Sequence, residues 1–235
     1  HKAIRRQRQM CIRDRLGVCC ETGHGVERDV QRAESLYRRA MDLGDPEGDY
    51  HLAALLRRDK NPENRRKAAL LLQKPAAVGL AAAQYLLGVC YETGDGVEKK
   101  PRYAAYMYHR AAQQGHPEAM LRLGICYETG VGAEKDPAIA ANLYRQAAER
   151  GSELARCRLG RLYERGLGVE RDLRRAEELY EAGERAGVSG AKEALDRVRA
   201  ALAAPPEPPP VDKPEGKKSP LRRLLDRLKG PKSEE

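Results

Sequence analysis

The 235-residue chain has no tryptophan and no phenylalanine, and its eleven aromatic residues are all tyrosines. A single globular core of this size usually draws on those large rings. Thin layers lined by Ala and Leu have less need of them, so the absence points to an elongated fold. No stretch of the sequence approaches the roughly 20 apolar residues of a membrane-spanning helix.

Motifs that carry chemistry are also missing. There is no GxxxxGK[ST], and no GxGxxG follows a strand, so phosphate cradling is not indicated. No GxSxG nucleophile turn is present. The histidines are scattered, with His116 in a turn, and there is no HExxH and no CxxC pair to suggest zinc. The sequence therefore assigns no catalytic residue, no cofactor and no metal.

Charged residues make up 34% of the chain and hydrophobic residues 41%, the balance of a folded protein with a charged surface. The net charge of +9 suggests nucleic acid until it is located. Residues 1–15 hold six Lys or Arg and one Asp, a net of +5, which leaves +4 (9 − 5) for the other 220 residues. No nucleic-acid partner is expected. Arg5 to Arg15, RRQRQMCIRDR, resembles the in-frame translation of a transposase sequencing adapter over ten full codons. Such a segment is set aside from the reading of the fold, and native sequence is expected to begin near Leu16.

What the sequence does have is repetition, the first thing to look for in a chain like this. LGVCCETGHGVERD (16–29), LGVCYETGDGVEKK (87–100), LGICYETGVGAEKD (123–136) and LGRLYERGLGVERD (159–172) share one pattern, the last three spaced by 36 residues. A degenerate unit fills the first gap from Leu52. Each block is followed by a second pattern, AESLYRRA, AAYMYHRA, AANLYRQA or AEELYEAG, and then by Gly44, Gly115, Gly151 or Gly187. Each repeat reads as helix A, a Gly-x-Gly turn, helix B and a Gly turn. One helix A is expected over Pro117 to Thr129, with Ala119, Leu123, Cys126 and Tyr127 on its buried face. The following helix B buries Ala140, Leu143, Tyr144 and Ala147. Gly130 and Gly132 suit positive φ at the helix end. Pro101 and Pro137 suit the start of helix B.

These blocks, LGxxYxxGxGVxxD and then AxxLYRxAAxxGxxxA over roughly residues 16–198, resemble the Sel-one-like repeat family, related to the tetratricopeptide repeats. The resemblance implies an all-α, right-handed α-solenoid of about five stacked helix-turn-helix repeats, one of them degenerate, with a capping helix at 190–204. It also implies adaptor roles and no enzymatic activity. Two departures stand out. The degenerate unit has Asp59, Lys60 and Asn61 where the others have the Gly-x-Gly turn. It also places Pro75 inside its second helix, at a cost of about 3 kcal/mol, so a kink or loosened packing is expected over 57–80.

Beyond residue 204 the composition changes. Residues 205–219 read as a Pro-rich linker. Residues 220–230 read as a short basic amphipathic helix with Leu221, Leu224, Leu225 and Leu228 on one face, and 231–235 as a disordered end. That helix is too short to stand alone. It suits docking on a partner or on the solenoid itself, or contact with an anionic membrane.

The cysteines read as small buried apolar residues. Cys19, Cys90 and Cys126 share a repeat position, and Cys20 stands where later repeats have a tyrosine. The resemblance includes a cysteine-rich branch linked to weak β-lactam hydrolysis. One Cys per clear unit fits that branch poorly, and the unpaired thiols favour the cytoplasm. The function expected is a scaffold, monomeric, that holds a peptide or partner protein in a groove lined by the A helices. Glu92, Arg122, Glu128, Arg158, Arg161 and Glu164 are the contact residues. The alternatives are a membrane-tethered assembly factor using 220–230, and a weak β-lactam hydrolase.

Overall fold

The computed structural model describes residue 13 and residues 15–204. Most of the adapter-like stretch, the linker at 205–219, the segment at 220–230 and the end at 231–235 lie outside those residues. The described chain is entirely helical and forms five hairpins and a final helix. The hairpins pair α1 (15–22) with α2 (Val30–Asp42), α3 (Pro46–Arg57) with α4 (Pro62–Ala77), and α5 (Ala81–Thr93) with α6 (Pro101–Gln113). They continue with α7 (Pro117–Thr129) and α8 (Pro137–Glu149), then α9 (Glu153–Arg165) and α10 (Leu173–Arg185). The last helix is α11 (Ala191–Ala203). From α2 to α10 each helix packs mainly on its neighbours in the chain, the arrangement of a solenoid.

Small residues set the layer spacing. The B helices bury alanines, among them Ala104, Ala105, Ala111 and Ala112 in α6 and Ala140, Ala141, Ala147 and Ala148 in α8. Short side chains let helix axes approach to the lower end of the roughly 8–10 Å range. The A helices share one leucine position, Leu52, Leu87, Leu123 and Leu159, all buried. Leu52 confirms that the degenerate unit keeps the frame of the others.

The two glycines of the turn do different work. The first ends helix A in the left-handed region, with φ of 80° at Gly94, 81° at Gly130 and 67° at Gly166. The second lies against the B helix of the preceding unit. A Cβ on Gly132 would come within 2.3 Å of the Pro101 carbonyl oxygen, and one on Gly96 within 2.2 Å of the Arg65 carbonyl oxygen. Gly25 has the same positive φ, 74°, but nothing within 4 Å of such a Cβ. Beyond the turn an aspartate caps helix B: Asp29, Asp136 and Asp172 each accept from backbone N–H groups of the first turn, satisfying donors the helix leaves open.

Pro75 does not break its helix. The helix α4 runs unbroken from Pro62 to Ala77, and Pro75 is buried. The reason is position: Pro75 sits in the last turn, so the ring deprives only the Leu71 carbonyl of its i+4 donor. The Leu80 N–H closes on the Pro75 carbonyl at 2.9 Å, and the buried Gln84 amide donates to the Ala76 carbonyl at 3.0 Å. The inner face is packed, with Ala68, Ala69, Leu72 and Ala76 buried, while Leu70 on the outer side is exposed. At the other end α11 covers the last layer with Ala191, Ala194, Leu195 and Val198.

Replacing Gly132 by Ala is expected to destabilise the chain well beyond the same change at Gly25. Both incur about 1–2 kcal/mol for a left-handed non-glycine residue, but only Gly132→Ala drives a Cβ into backbone. Urea denaturation of the two variants followed by circular dichroism measures the difference, and equal losses would contradict the packing role of the second glycine.

Candidate functional site

Each clear repeat sends one tyrosine from helix B into the stack: Tyr37, Tyr108, Tyr144 and Tyr180, all buried. The ring lies on helix A, where only a glycine leaves room. A Cβ on Gly88 would sit 2.7 Å from the Tyr108 ring, and one on Gly124 2.6 Å from that of Tyr144. Gly17 faces Tyr37 as closely, at 2.5 Å, while the approach of Gly160 to Tyr180 is looser, at 3.3 Å. The hydroxyl passes beyond the glycine and donates to a glutamate one turn further along helix A. The distances are 2.9 Å for Tyr37 to Glu21, 2.5 Å for Tyr108 to Glu92, 2.7 Å for Tyr144 to Glu128 and 2.8 Å for Tyr180 to Glu164.

The glutamate's other contact comes from the next unit. Arg58 reaches Glu21 at 2.5 Å, and Arg122 reaches Glu92 at 3.4 Å. Glu128 takes Arg161 at 2.6 Å and Arg158 at 3.5 Å. Arg197 of α11 takes Glu164 through Nε at 2.7 Å and through Nη2 at 3.0 Å. A buried phenol, a largely buried carboxylate and one or, at Glu128, two partly exposed guanidiniums thus tie each of these joints.

Burial, and then the bond to the glutamate, push the hydroxyls of Tyr108, Tyr144 and Tyr180 well above the ordinary phenol value. The Glu164 carboxyl is held below the usual carboxylate range, first by Arg197 and then by Tyr180, against a burial effect that works the other way. The parts differ in energetic weight. A hydrogen bond to a charged group contributes about 1.5–3 kcal/mol, whereas an exposed ion pair contributes about 0–1 kcal/mol. The phenol holds the carboxylate from the buried side, and the arginine adds to that hold from the more exposed side.

All six residues expected to contact a partner belong to this ladder. Glu92 pairs with Arg122, and Glu128 with Arg158 and Arg161; Glu164 pairs with Arg197, which the sequence reading did not single out. The alternating signs therefore have a use inside the stack, and the glutamates are more than a row of surface charge. The tyrosine hydroxyls were also missed. Their signal was a glutamate and a tyrosine 16 residues apart in every clear repeat, absent as a pair from the degenerate one. There Leu72 replaces the tyrosine, Ala53 the glycine and Arg57 the glutamate. Arg57 pairs instead with Asp95 of the following turn, at 3.4 Å.

The cysteines follow the expectation in part. Cys20, Cys90 and Cys126 are buried, while Cys19 and Cys157 are partly exposed; all five are free thiols. Burial raises Cys90 and Cys126 to about 11, which leaves them protonated and inert near neutrality. Among the described residues no group of three or more His, Cys, Asp or Glu is placed to hold a metal ion. Among those residues, too, no helix is long and apolar enough to cross a membrane.

Stacked helical hairpins with a ladder of joints define an α-solenoid repeat protein. The Sel1 repeat model matches residues 14–45, 81–116, 117–152 and 154–188, more than half of the chain, and the protein belongs to that family. Proteins of this family generally mediate protein–protein interaction and are typically not enzymes. A Sel1 repeat protein from Oxalobacter formigenes superposes with a TM-score of 0.74 at 24% identity, over 96% of this chain and 87% of that one. The protective antigen c5321 of uropathogenic Escherichia coli strains, which displays an SLR fold, superposes with a TM-score of 0.73 at 28% identity. That match covers 85% of this chain but 43% of c5321, so the chain spans under half the length of that relative. The immunity protein Pa5087 from Pseudomonas aeruginosa shares the fold at 23% identity with a TM-score of 0.52, over 85% of this chain and 76% of that one. No curated protein is significantly similar to the chain.

Tyr144→Phe is expected to cost about 1.5–3 kcal/mol, the worth of a hydrogen bond to a charged group, with helicity retained. The pH dependence has a definite sign. The phenol titrates near 10 when unfolded and higher when folded, so its contribution is intact below pH 10 and falls as pH rises above it. Urea titrations at neutral pH and above pH 10 are expected to show a steeper alkaline loss for the wild type than for Tyr144→Phe. Parallel losses would mean that the hydroxyl is not held as described.

Proposed function

We propose that the chain is a scaffold that holds a peptide or partner protein along the A-helix ladder, with Arg122, Arg158 and Arg161 meeting the partner's carboxylates and Glu92, Glu128 and Glu164 its cations. The observation that carries this reading is the position of the guanidiniums. They recur at successive joints, and Arg122 keeps 40% of its side chain exposed while Arg161 keeps 37%. A partner carboxylate can join the glutamate at the exposed edge of such a guanidinium without unstacking the repeats. The buried phenols hold the stack in the meantime. Neighbouring helix layers lie roughly 10 Å apart, a step that an extended peptide covers in about three residues. A strand with acidic groups at that interval meets one joint after another.

Selection from a displayed peptide library against the full chain is expected to recover sequences rich in Asp and Glu. Arg122→Ala combined with Arg158→Ala is expected to weaken them by about tenfold or more, which is 1.4 kcal/mol, with the helical circular dichroism unchanged. Binders indifferent to the double substitution, or no binders at all, would remove the groove from the account.

A further inference from the structure

The degenerate unit lacks a second tyrosine besides the one replaced by Leu72. Helix A of the three following repeats carries Tyr91, Tyr127 and Tyr163, one residue before the glutamate, and the degenerate unit has Leu56 at that place. The environment of Tyr163 shows what such a side chain meets. Its hydroxyl is hydrogen-bonded by Arg175 of its own helix B, at 3.4 Å, and feels the positive charge of Arg145 of the preceding helix B. The Arg175 guanidinium also stands over the ring, 5.6 Å from its centroid. Burial raises the hydroxyl, but the two arginines outweigh it and hold the group below the ordinary phenol value.

Shifted back by the repeat, Arg145 corresponds to Arg38 and Arg175 to Lys67. Both cations are therefore kept around a place where the ring is missing. The structure has a cavity of about 380 Å³ there, with Met41, Leu56, Leu70 and Leu71 as its apolar wall and Arg38 and Lys67 at its rim. Leu70 is 62% exposed and forms part of that apolar wall. The two cations are lightly held. Arg38 pairs with Glu34 and Lys67 with Glu63, each one helical turn earlier and on exposed side chains, an arrangement worth about 0–1 kcal/mol.

We propose that this cavity is an open tyrosine socket, and that it takes the phenol side chain of a partner peptide whose flanking residues are acidic. The ring lies on the leucines and Met41, as the chain's own tyrosines lie on their repeats. Its hydroxyl turns to Arg38 and Lys67, and the flanking carboxylates meet the same two cations. The charge of the rim disfavours the chain's own segments. Residues 1–14 and 205–235 contain no aromatic residue, and 220–230 bring Arg222, Arg223, Arg227 and Lys229. A second copy is disfavoured as well, since its exposed Tyr103 and Tyr106 stand beside Arg102 and Arg110. The socket shares no residue with the ladder of Arg122 and Arg158, so the proposal stands or falls independently of the groove.

The test uses the full chain and a fluorescently labelled pentapeptide, Asp-Glu-Tyr-Glu-Asp, with its Tyr-to-Ala counterpart as control. Saturable polarisation is expected for the tyrosine peptide and a loss of about tenfold or more in affinity for the control. Leu56→Tyr places the repeat's own ring in the socket, and is expected to abolish binding while keeping or raising the melting temperature. Should that substitution disturb the stack, Lys67→Glu, on an exposed side chain, is expected to weaken the tyrosine peptide by a similar factor. The double variant at Arg122 and Arg158 is expected to bind it unchanged. Equal binding of both peptides, or affinity untouched by Leu56→Tyr in a folded chain or by Lys67→Glu, would overturn the proposal. So would self-association in sedimentation that Leu56→Tyr removes, since the occupant would then be a second copy.

Discussion

The phenol of helix B in each clear repeat enters the stack ring first, and its hydroxyl must find an acceptor where water has been excluded. A glycine on helix A leaves room for the ring, and a glutamate one turn later accepts the hydroxyl's hydrogen bond. These three positions are one constraint. A larger residue than glycine would strike the ring; a tyrosine without the glutamate would bury an unanswered donor. The glutamate, held from inside, then presents its free edge to the next unit, and the arginine found there joins one hairpin to the following one. Internal packing of a repeat and its attachment to its neighbour thus pass through the same carboxylate.

The degenerate unit shows the constraint by exception. Once Leu72 stands in place of the tyrosine, alanine is tolerated in place of the glycine, and the glutamate gives way to Arg57, which turns to Asp95. The core registers the change. It forms three clusters, and one of them, built on Ala53, Ala68, Leu72 and Cys90, is the packing of this unit against its successor. The other two lie on either side, linked to it through the partly buried Leu56, Leu71 and Tyr91.

The sequence made some of this legible and concealed the rest for physical reasons. The leucine at Leu52, Leu87, Leu123 and Leu159, the turn glycines and the capping aspartates act over one helical turn, and local periodicity reveals them. The role of Glu128 could not be read from its neighbours, because its partner Tyr144 lies on another helix. The arginines were harder still. Arg58 follows its unit's leucine by six residues, Arg122 and Arg158 precede theirs by one, and Arg161 and Arg197 follow theirs by two. A long flexible side chain reaches the same carboxylate from several starting points, so no single column of the repeat records it. Pro75 misled in the opposite direction: its ring is costly in mid-helix, and the length of α4 was not readable closely enough to place it in the last turn.

The α5 helix adds a last consequence. It carries Leu86 and Val89 at the two columns that supply arginines in α7, α9 and α11. Nothing is lost where it stands, because the unit before it presents Arg57 in place of a glutamate. Moved elsewhere, the same helix would meet a carboxylate with no cation to offer. The units are therefore not interchangeable modules. The hairpins α7–α8 and α9–α10 offer arginine on one side and glutamate on the other, so each can follow any clear repeat, and duplication or loss of one leaves compatible edges. The degenerate unit and the hairpin after it fit as a matched pair, one without the glutamate and the other without the arginine that would answer it.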